Sequence, residues 1–156
     1  MEPTIKELPG MKVVGIEYTG LNQNGEVQQL WEEFNSYMNE IRDKVEPYLA
    51  LGICTNMRPD GSYTYVAGYA VTAIAQSPPG MVSRSIPPAR YAIFTHHGQL
   101  LDVPNDLHST YNYIFTDWLP ASGYTYAGSP TLELYDTRFK LESDDSELDI
   151  CIPIKE

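Results

Sequence analysis

The alternation of apolar and polar residues along the chain predicts two kinds of element. Runs rich in β-branched and aromatic residues predict strands, and apolar residues at three- and four-residue spacing predict two amphipathic helices. In the first helix the apolar positions run from Val27 to Val45, and in the second from Leu107 to Trp118. The predicted strands are 11–20, 50–57, 63–72, 89–98, 130–136 and 147–154, and the predicted helices are 26–45 and 105–120.

The order of these elements repeats. Each half of the chain reads strand, helix, strand, strand, with a glycine after its first strand and a tryptophan, Trp31 or Trp118, in its helix. We interpret this as an internal duplication within a single domain, with pseudo-repeat halves at about 1–75 and 80–156. The predicted fold class is α+β: duplicated strand–helix–strand–strand modules form an antiparallel sheet with two helices and a central cleft.

Two short stretches refine this picture. Between two proline pairs, "MVSRSI" at 81–86 is predicted to form an extended edge strand. In "PTLELYD", Leu132 and Leu134 alternate with Glu133 and Tyr135, so the acid and the phenol share one strand face. Glu133 then either faces solvent on a half-exposed strand, or is held beside aromatic rings as the polar group of a binding site.

Composition narrows the function classes. A chain of 156 residues with 42% apolar residues suffices for one domain with a hydrophobic core. A net charge of −11 argues against direct nucleic-acid binding and against binding to anionic membranes. The first residues, "MEPTIKELPG", do not have the pattern of a signal peptide, and no apolar run is long enough to span a membrane, so we expect a cytoplasmic protein.

The sequence favours no metal and no cofactor. Cys54 and Cys151 are too few for a disulfide framework, and neither lies beside a histidine or a basic cluster in sequence. His96 and His97 are adjacent on a predicted strand, so they point to opposite faces and cannot bind one zinc ion together. A glycine-rich phosphate loop is lacking, which disfavours nucleotide cofactors.

Four segments, in this order, carry a resemblance to a known family. "RYAIFTHHG", a helix ending in "WLPASGY", "PTLELYD" and "LDICIPI" resemble the second half of the GyrI-like family. That family includes stand-alone gyrase-inhibitory-type proteins and the effector-binding domains of multidrug-sensing transcription regulators. The resemblance implies a duplicated fold with a central small-molecule cleft. It also implies that Glu133, beside Tyr135, contacts cationic aromatic compounds, and that Asp149 is the corresponding acid of the last strand.

Further residues are candidates for the wall of such a cleft. Tyr65 and Tyr69 share one strand face, although ordinary cross-strand packing explains them equally well. Because they are two apart on a helix, Tyr111 and Tyr113 cannot both face inward; Tyr111 fits the apolar stripe, which leaves Tyr113 the freer of the two. The candidate ligand-binding residues are Glu133, Tyr135, Asp149, Tyr65, Tyr69, Tyr113, Trp31 and His96.

Three functions follow from the residues and the resemblance together. The leading hypothesis is a small-molecule-binding protein for hydrophobic or cationic aromatic compounds that contributes to drug or toxin tolerance. The first alternative is a hydrolase of cyclopropane-bearing DNA-alkylating toxins, with Glu133 as general base and Tyr135 as a second catalytic residue. The second alternative is an inhibitor protein that interacts with DNA gyrase, suggested by the strong acidity.

Overall fold

The structure, a computed structural model, describes residues 2–45, 48–74, 78–98, 108–140 and 145–156. The elements are β1 (Thr4–Leu8), β2 (Met11–Gly20), α1 (Glu26–Tyr37), a 3₁₀ turn (Met38–Glu40), β3 (Ala50–Thr55), β4 (Tyr63–Val71), β5 (Val82–Ile86), β6 (Ala89–His97), α2 (His108–Tyr113), a π-helical turn (Ile114–Trp118), α3 (Leu119–Ser122), β7 (Thr125–Tyr126), β8 (Thr131–Tyr135) and β9 (Glu147–Lys155).

Within the described residues, nine strands form an antiparallel sheet. Its order is β1-β6-β9-β8-β3-β4-β2-β5, and β7 pairs with the end of β9. The sheet therefore consists of two three-stranded units, β2-β4-β3 and β6-β9-β8, joined where β3 pairs with β8. The predicted α+β class, with an antiparallel sheet and two helical segments in repeated strand–helix–strand–strand order, is confirmed.

The two outermost strands are exchanged between the units. β1 precedes the first unit in sequence but pairs with β6 of the second, and β5 precedes the second unit but pairs with β2 of the first. β5 confirms the edge strand predicted at 81–86, whereas β1 and β7 were not predicted. β1, with the sequence TIKEL, is almost entirely exposed and carries charged residues, a composition typical of an edge strand and a weak signal in sequence.

Both faces of the sheet are packed, but by different partners. On one face, Val27, Leu30 and Phe34 of α1 pack with strand residues, and Ile114 of the π turn packs with strand residues of the second unit. The core of the other face is built from strand residues, among them Val13, Leu51, Val66, Leu132 and Cys151. Side chains of the first face therefore lie under the helices.

The helices differ from the predicted ranges. The α-helix predicted to continue to residue 45 ends at Tyr37, and Ile41 after the 3₁₀ turn is extended. Tertiary contacts explain why the helix ends early. Ile41 is buried against the first unit, and the Val45 N–H donates to the Ala70 carbonyl, so the chain runs alongside β4 at this point. The predicted start of the second helix, residues 105–107, lies outside the described residues.

None of the helices in the described part of the chain is long and apolar enough to cross a membrane.

Close backbone approach between β2 and β4 requires glycine. Gly15 pairs with Gly68, and a Cβ on Gly15 would lie 2.1 Å from the Ala67 carbonyl oxygen and 2.5 Å from the Gly68 Cα. We expect Gly15→Ala to lower the free energy of unfolding by ~2 kcal/mol, the usual size of an overpacking penalty. Urea denaturation measures this. Lys12→Ala, an exposed change on the same strand, is the control and should stay within about 0.5 kcal/mol of wild type.

Candidate functional site: a buried glutamate bonded by three tyrosines

Glu133 lies at the centre of the sheet, on the strand that joins the two units. Its direct neighbours across the sheet are Gly52 on β3 and Ile150 on β9. Leu132 and Leu134 point to the opposite face, as the alternation predicts, so the Glu133 side chain lies under the helices. Glu133 is only 4% exposed, so the interpretation that it faces solvent is wrong.

Three tyrosine hydroxyl groups donate hydrogen bonds to this carboxylate. Tyr65 of β4 donates to Oε1 over 2.7 Å, and Tyr135, two residues along β8, donates to the same oxygen over 3.0 Å. Tyr111 of α2 donates to Oε2 over 2.6 Å. The donors come from both units and from a helix, so the carboxylate connects parts of the chain that are far apart in sequence.

Trp31 links the first helix to the same group. Its indole Nε1 donates to the Tyr65 hydroxyl oxygen over 3.0 Å. Its ring meets the ring of Tyr135 edge-on, with centroids 5.0 Å apart. Trp31 is only partly buried, so it forms a wall beside the carboxylate that retains some access to solvent. Both helical segments thus contribute an aromatic side chain to this site.

Gly52 provides the space in which the Tyr65 hydroxyl group meets the carboxylate. A Cβ at this position would lie 2.0 Å from the Tyr65 hydroxyl oxygen and 2.6 Å from Glu133 Oε1. Any larger residue would therefore push the two groups apart. Gly52 faces Glu133 directly across the strand pair, so the glycine and the acid occupy opposed positions at the junction of the units.

Burial and the Glu133 carboxyl group shape the electrostatics of the site. Burial and, after it, the adjacent Glu133 carboxylate raise the pKa of Tyr65, Tyr111 and Tyr135 well above its ordinary value. The same two causes raise the pKa of the Cys54 thiol. The phenols therefore stay protonated donors at neutral pH. Among the described residues, no lysine, arginine or histidine forms an ion pair with Glu133.

The structure brings Glu133, Tyr135, Tyr65 and Trp31 together, and it places other candidates around them. Tyr69 is on the same face as Tyr65 but further along β4, where it packs against Phe34 and Tyr48 with ring centroids 5.4 and 6.0 Å away. Tyr113 packs at the edge of the second unit's core. His96 lies near the end of β6, with Nδ1 3.2 Å from the Thr110 hydroxyl oxygen.

Asp149 does not join this group. The pairing of Glu133 with Ile150 turns Asp149 to the opposite face of the sheet. There it accepts hydrogen bonds from Thr95 over 2.7 Å and from the Arg138 guanidinium over 2.7 Å. Arg138 also pairs with Asp136, which holds the pKa of that carboxyl below its usual value. This ion-pair network explains Asp149 without a ligand.

Sequence reasoning missed Tyr111 as a member of the site. Helical spacing places Tyr111 in the apolar stripe of its helix and leaves Tyr113 as the freer side chain. The stripe does face the sheet, but the sheet at that point presents a carboxylate, so the inward tyrosine has a polar partner. A tyrosine in an apolar stripe is itself a usable signal, because a buried phenol needs a hydrogen-bond partner.

The family of the chain follows from comparison with known proteins. Residues 1–155 match the model of the GyrI-like small molecule binding domain, and the chain belongs to this family. The resemblance drawn from the sequence is confirmed.

One curated relative and two solved structures are similar to this chain. It is 34% identical over 155 residues to the transcriptional regulator BrlR of Pseudomonas aeruginosa, covering 99% of this chain and 56% of that one, so it spans about half the length of this curated relative. SAV2435, solved bound to tetraphenylphosphonium, superposes with a TM-score of 0.74 at 19% identity, covering 99% and 94% of the two chains. A hydrolase of Listeria innocua encoded by lin2189 is more distant: the TM-score is 0.53 at 11% identity, with coverage of 99% and 92%. The two structural likenesses show the fold alone.

The raised tyrosine pKa values predict how stability depends on pH. Between about pH 10, the ordinary pKa of an unfolded tyrosine, and the higher folded values, the unfolded chain releases protons that the folded chain keeps. The free energy of unfolding should therefore be unaffected by these groups below about pH 10 and fall as the pH rises further. Tyrosinate absorbance, followed together with circular dichroism, tests this. Ionisation of all 12 tyrosines near pH 10 in a still folded protein would contradict it.

Proposed function

We propose that the protein binds lipophilic aromatic cations over Glu133 and contributes in this way to tolerance of drugs or toxins. The observation that carries the proposal is the Glu133 carboxylate, buried among aromatic rings and without a cationic partner among the described residues. A negative charge held in a poor solvent is stabilised by an arriving positive charge, and the attraction is stronger there than in water.

The walls of the site suit the apolar part of such a ligand. The rings of Trp31 and Tyr135 meet beside the carboxylate, and the partly buried Phe139 extends this aromatic surface next to Tyr135. Phe34, which is fully buried, packs against Trp31 and supports it. A cation over an aromatic face gains roughly 0.5–2 kcal/mol for each ring. An organic cation therefore gains both from the carboxylate and from the rings.

One solved structure with this fold supports this choice of ligand. SAV2435, which has this fold, was solved with tetraphenylphosphonium, an aromatic cation. BrlR, the curated relative at 34% identity, is a transcriptional regulator, and this chain matches about half of it. A domain that binds small molecules, the family to which this chain belongs, fits a ligand of this kind.

The geometry favours a binder over a hydrolase. A general base must receive a proton from the attacking water, but both Glu133 oxygens already accept hydrogen bonds from phenols. Tyr135, the other catalytic candidate, donates its O–H hydrogen bond to Glu133 and so does not donate it to a substrate oxygen. A cyclopropane-bearing substrate that the wild type turns over catalytically, and that Glu133→Gln binds without turnover, would reverse this preference.

Loss of the charge at Glu133 should weaken cation binding. We expect Glu133→Gln to raise the Kd of tetraphenylphosphonium by at least about tenfold, equivalent to ~1.4 kcal/mol, because the amide cannot attract the cation. Tryptophan fluorescence measures the titration, since Trp31 lies in the site. Circular dichroism confirms that the variant is folded.

A matched variant separates this site from the general acidity of the chain. Asp149→Asn makes the same change of a carboxylate to an amide on the other face of the sheet, beside Arg138. Its Kd for tetraphenylphosphonium should equal that of wild type. Equal weakening by both variants would mean that overall charge, and not the Glu133 site, attracts the ligand. An unchanged Kd in Glu133→Gln would remove the carboxylate from the proposal.

A further inference from the structure

We infer that the site selects cations without N–H groups, such as quaternary phosphonium or ammonium compounds, over protonated amines of the same size. The inference rests on the proposed function and adds the chemical class of the ligand. Its basis is that tyrosine hydroxyl groups already occupy three of the roughly four hydrogen-bonding positions of the Glu133 carboxylate. Tyr65, Tyr111 and Tyr135 are then the specificity-determining residues.

The Glu133 carboxylate has few acceptor positions left for a ligand. An ionised carboxylate accepts about four hydrogen bonds, two at each oxygen. Glu133 Oε1 accepts from Tyr65 over 2.7 Å and from Tyr135 over 3.0 Å, which fills that oxygen. Oε2 accepts from Tyr111 over 2.6 Å. At most one position remains, on the oxygen that the second helix covers, and Glu133 is 4% exposed.

The phenol oxygens of the three tyrosines are the next acceptors that a ligand would meet. The Tyr65 oxygen already accepts from the Trp31 indole over 3.0 Å. Those of Tyr111 and Tyr135 belong to neutral groups, which attract an ammonium less strongly than a free carboxylate oxygen would. A primary ammonium has three N–H donors, and this site offers them poor replacements for the water that they lose.

Quaternary cations and protonated amines differ in the hydrogen bonds that they lose when they leave water for this site. A quaternary cation has no hydrogen bonds to lose and still gains the Coulomb attraction and the aromatic contacts. A protonated amine gains the same attraction but enters with unsatisfied donors, or must displace a phenol and leave it unsatisfied. One unsatisfied donor weakens binding by about tenfold.

The experiment uses two cations that are nearly equal in shape. Methyltriphenylphosphonium and triphenylmethylammonium both carry three phenyl groups, but only the second has N–H donors. Isothermal titration calorimetry with the full chain, at a pH where the amine is protonated, gives both Kd values. We expect the phosphonium to bind about tenfold more tightly or better. Equal affinity, or tighter binding of the ammonium, would overturn the inference.

Variants test the assigned cause. Tyr111→Phe and Tyr65→Phe keep the rings but each frees an acceptor position on Glu133, so the preference for phosphonium should shrink toward equality in both. Tyr91→Phe removes a hydroxyl group from a buried tyrosine on the opposite face and should leave the ratio unchanged. A ratio that does not change in either site variant would overturn the role of the phenols. Two site variants guard against the failure of one to fold.

A neutral ligand distinguishes failure of this inference from failure of the proposed function. Triphenylphosphine oxide has three phenyl groups and no net charge. If methyltriphenylphosphonium binds no more tightly than this oxide, the site does not recognise cations and the proposed function fails. If it binds more tightly than the oxide but no more tightly than the ammonium, the proposed function stands and only the selectivity is wrong.

Discussion

The burial of one carboxylate governs the arrangement of this molecule. Removing a charge from water costs several kcal/mol unless hydrogen bonds replace the lost hydration. Tyr65, Tyr111 and Tyr135 supply these bonds from three elements, and Trp31 in turn donates to Tyr65. The carboxylate is therefore costly to bury, and through its hydrogen bonds it connects the two units of the sheet with both helical segments.

Tyrosine suits the positions around Glu133 for two reasons. The rings must exclude water and present an apolar surface, and the hydroxyl groups must satisfy the carboxylate without neutralising its charge. Arginine or lysine would satisfy it more strongly but would cancel the charge, as Arg138 does for Asp149 on the opposite face. The two acids are therefore stabilised in different ways in one sheet: Asp149 is paired with a guanidinium, and Glu133 accepts hydrogen bonds from neutral phenols.

Sequence patterns predicted the parts of this site that depend on local periodicity. Alternation placed Tyr135 on the same face as Glu133, and the helical stripe placed Trp31 inward. The resemblance named Asp149, but periodicity could not show whether it lies on the same face as Glu133, because it fixes which residues of one strand share a face and not how neighbouring strands are aligned. The β8–β9 register, with Glu133 opposite Ile150, decides that Asp149 points away. Gly52 is likewise recognisable only once its partner across the sheet is known.

The exchanged edge strands restrict how the two units can move relative to each other. A hinge motion that separates the units would disturb the β1–β6 and β2–β5 pairings as well as the β3–β8 pairing. If Glu133 binds a ligand as proposed, the strands keep their arrangement, and the side chains that move to admit the ligand are those that reach the carboxylate group from the helices, Trp31 and Tyr111. The position of the carboxylate would then be the same for ligands of different shape.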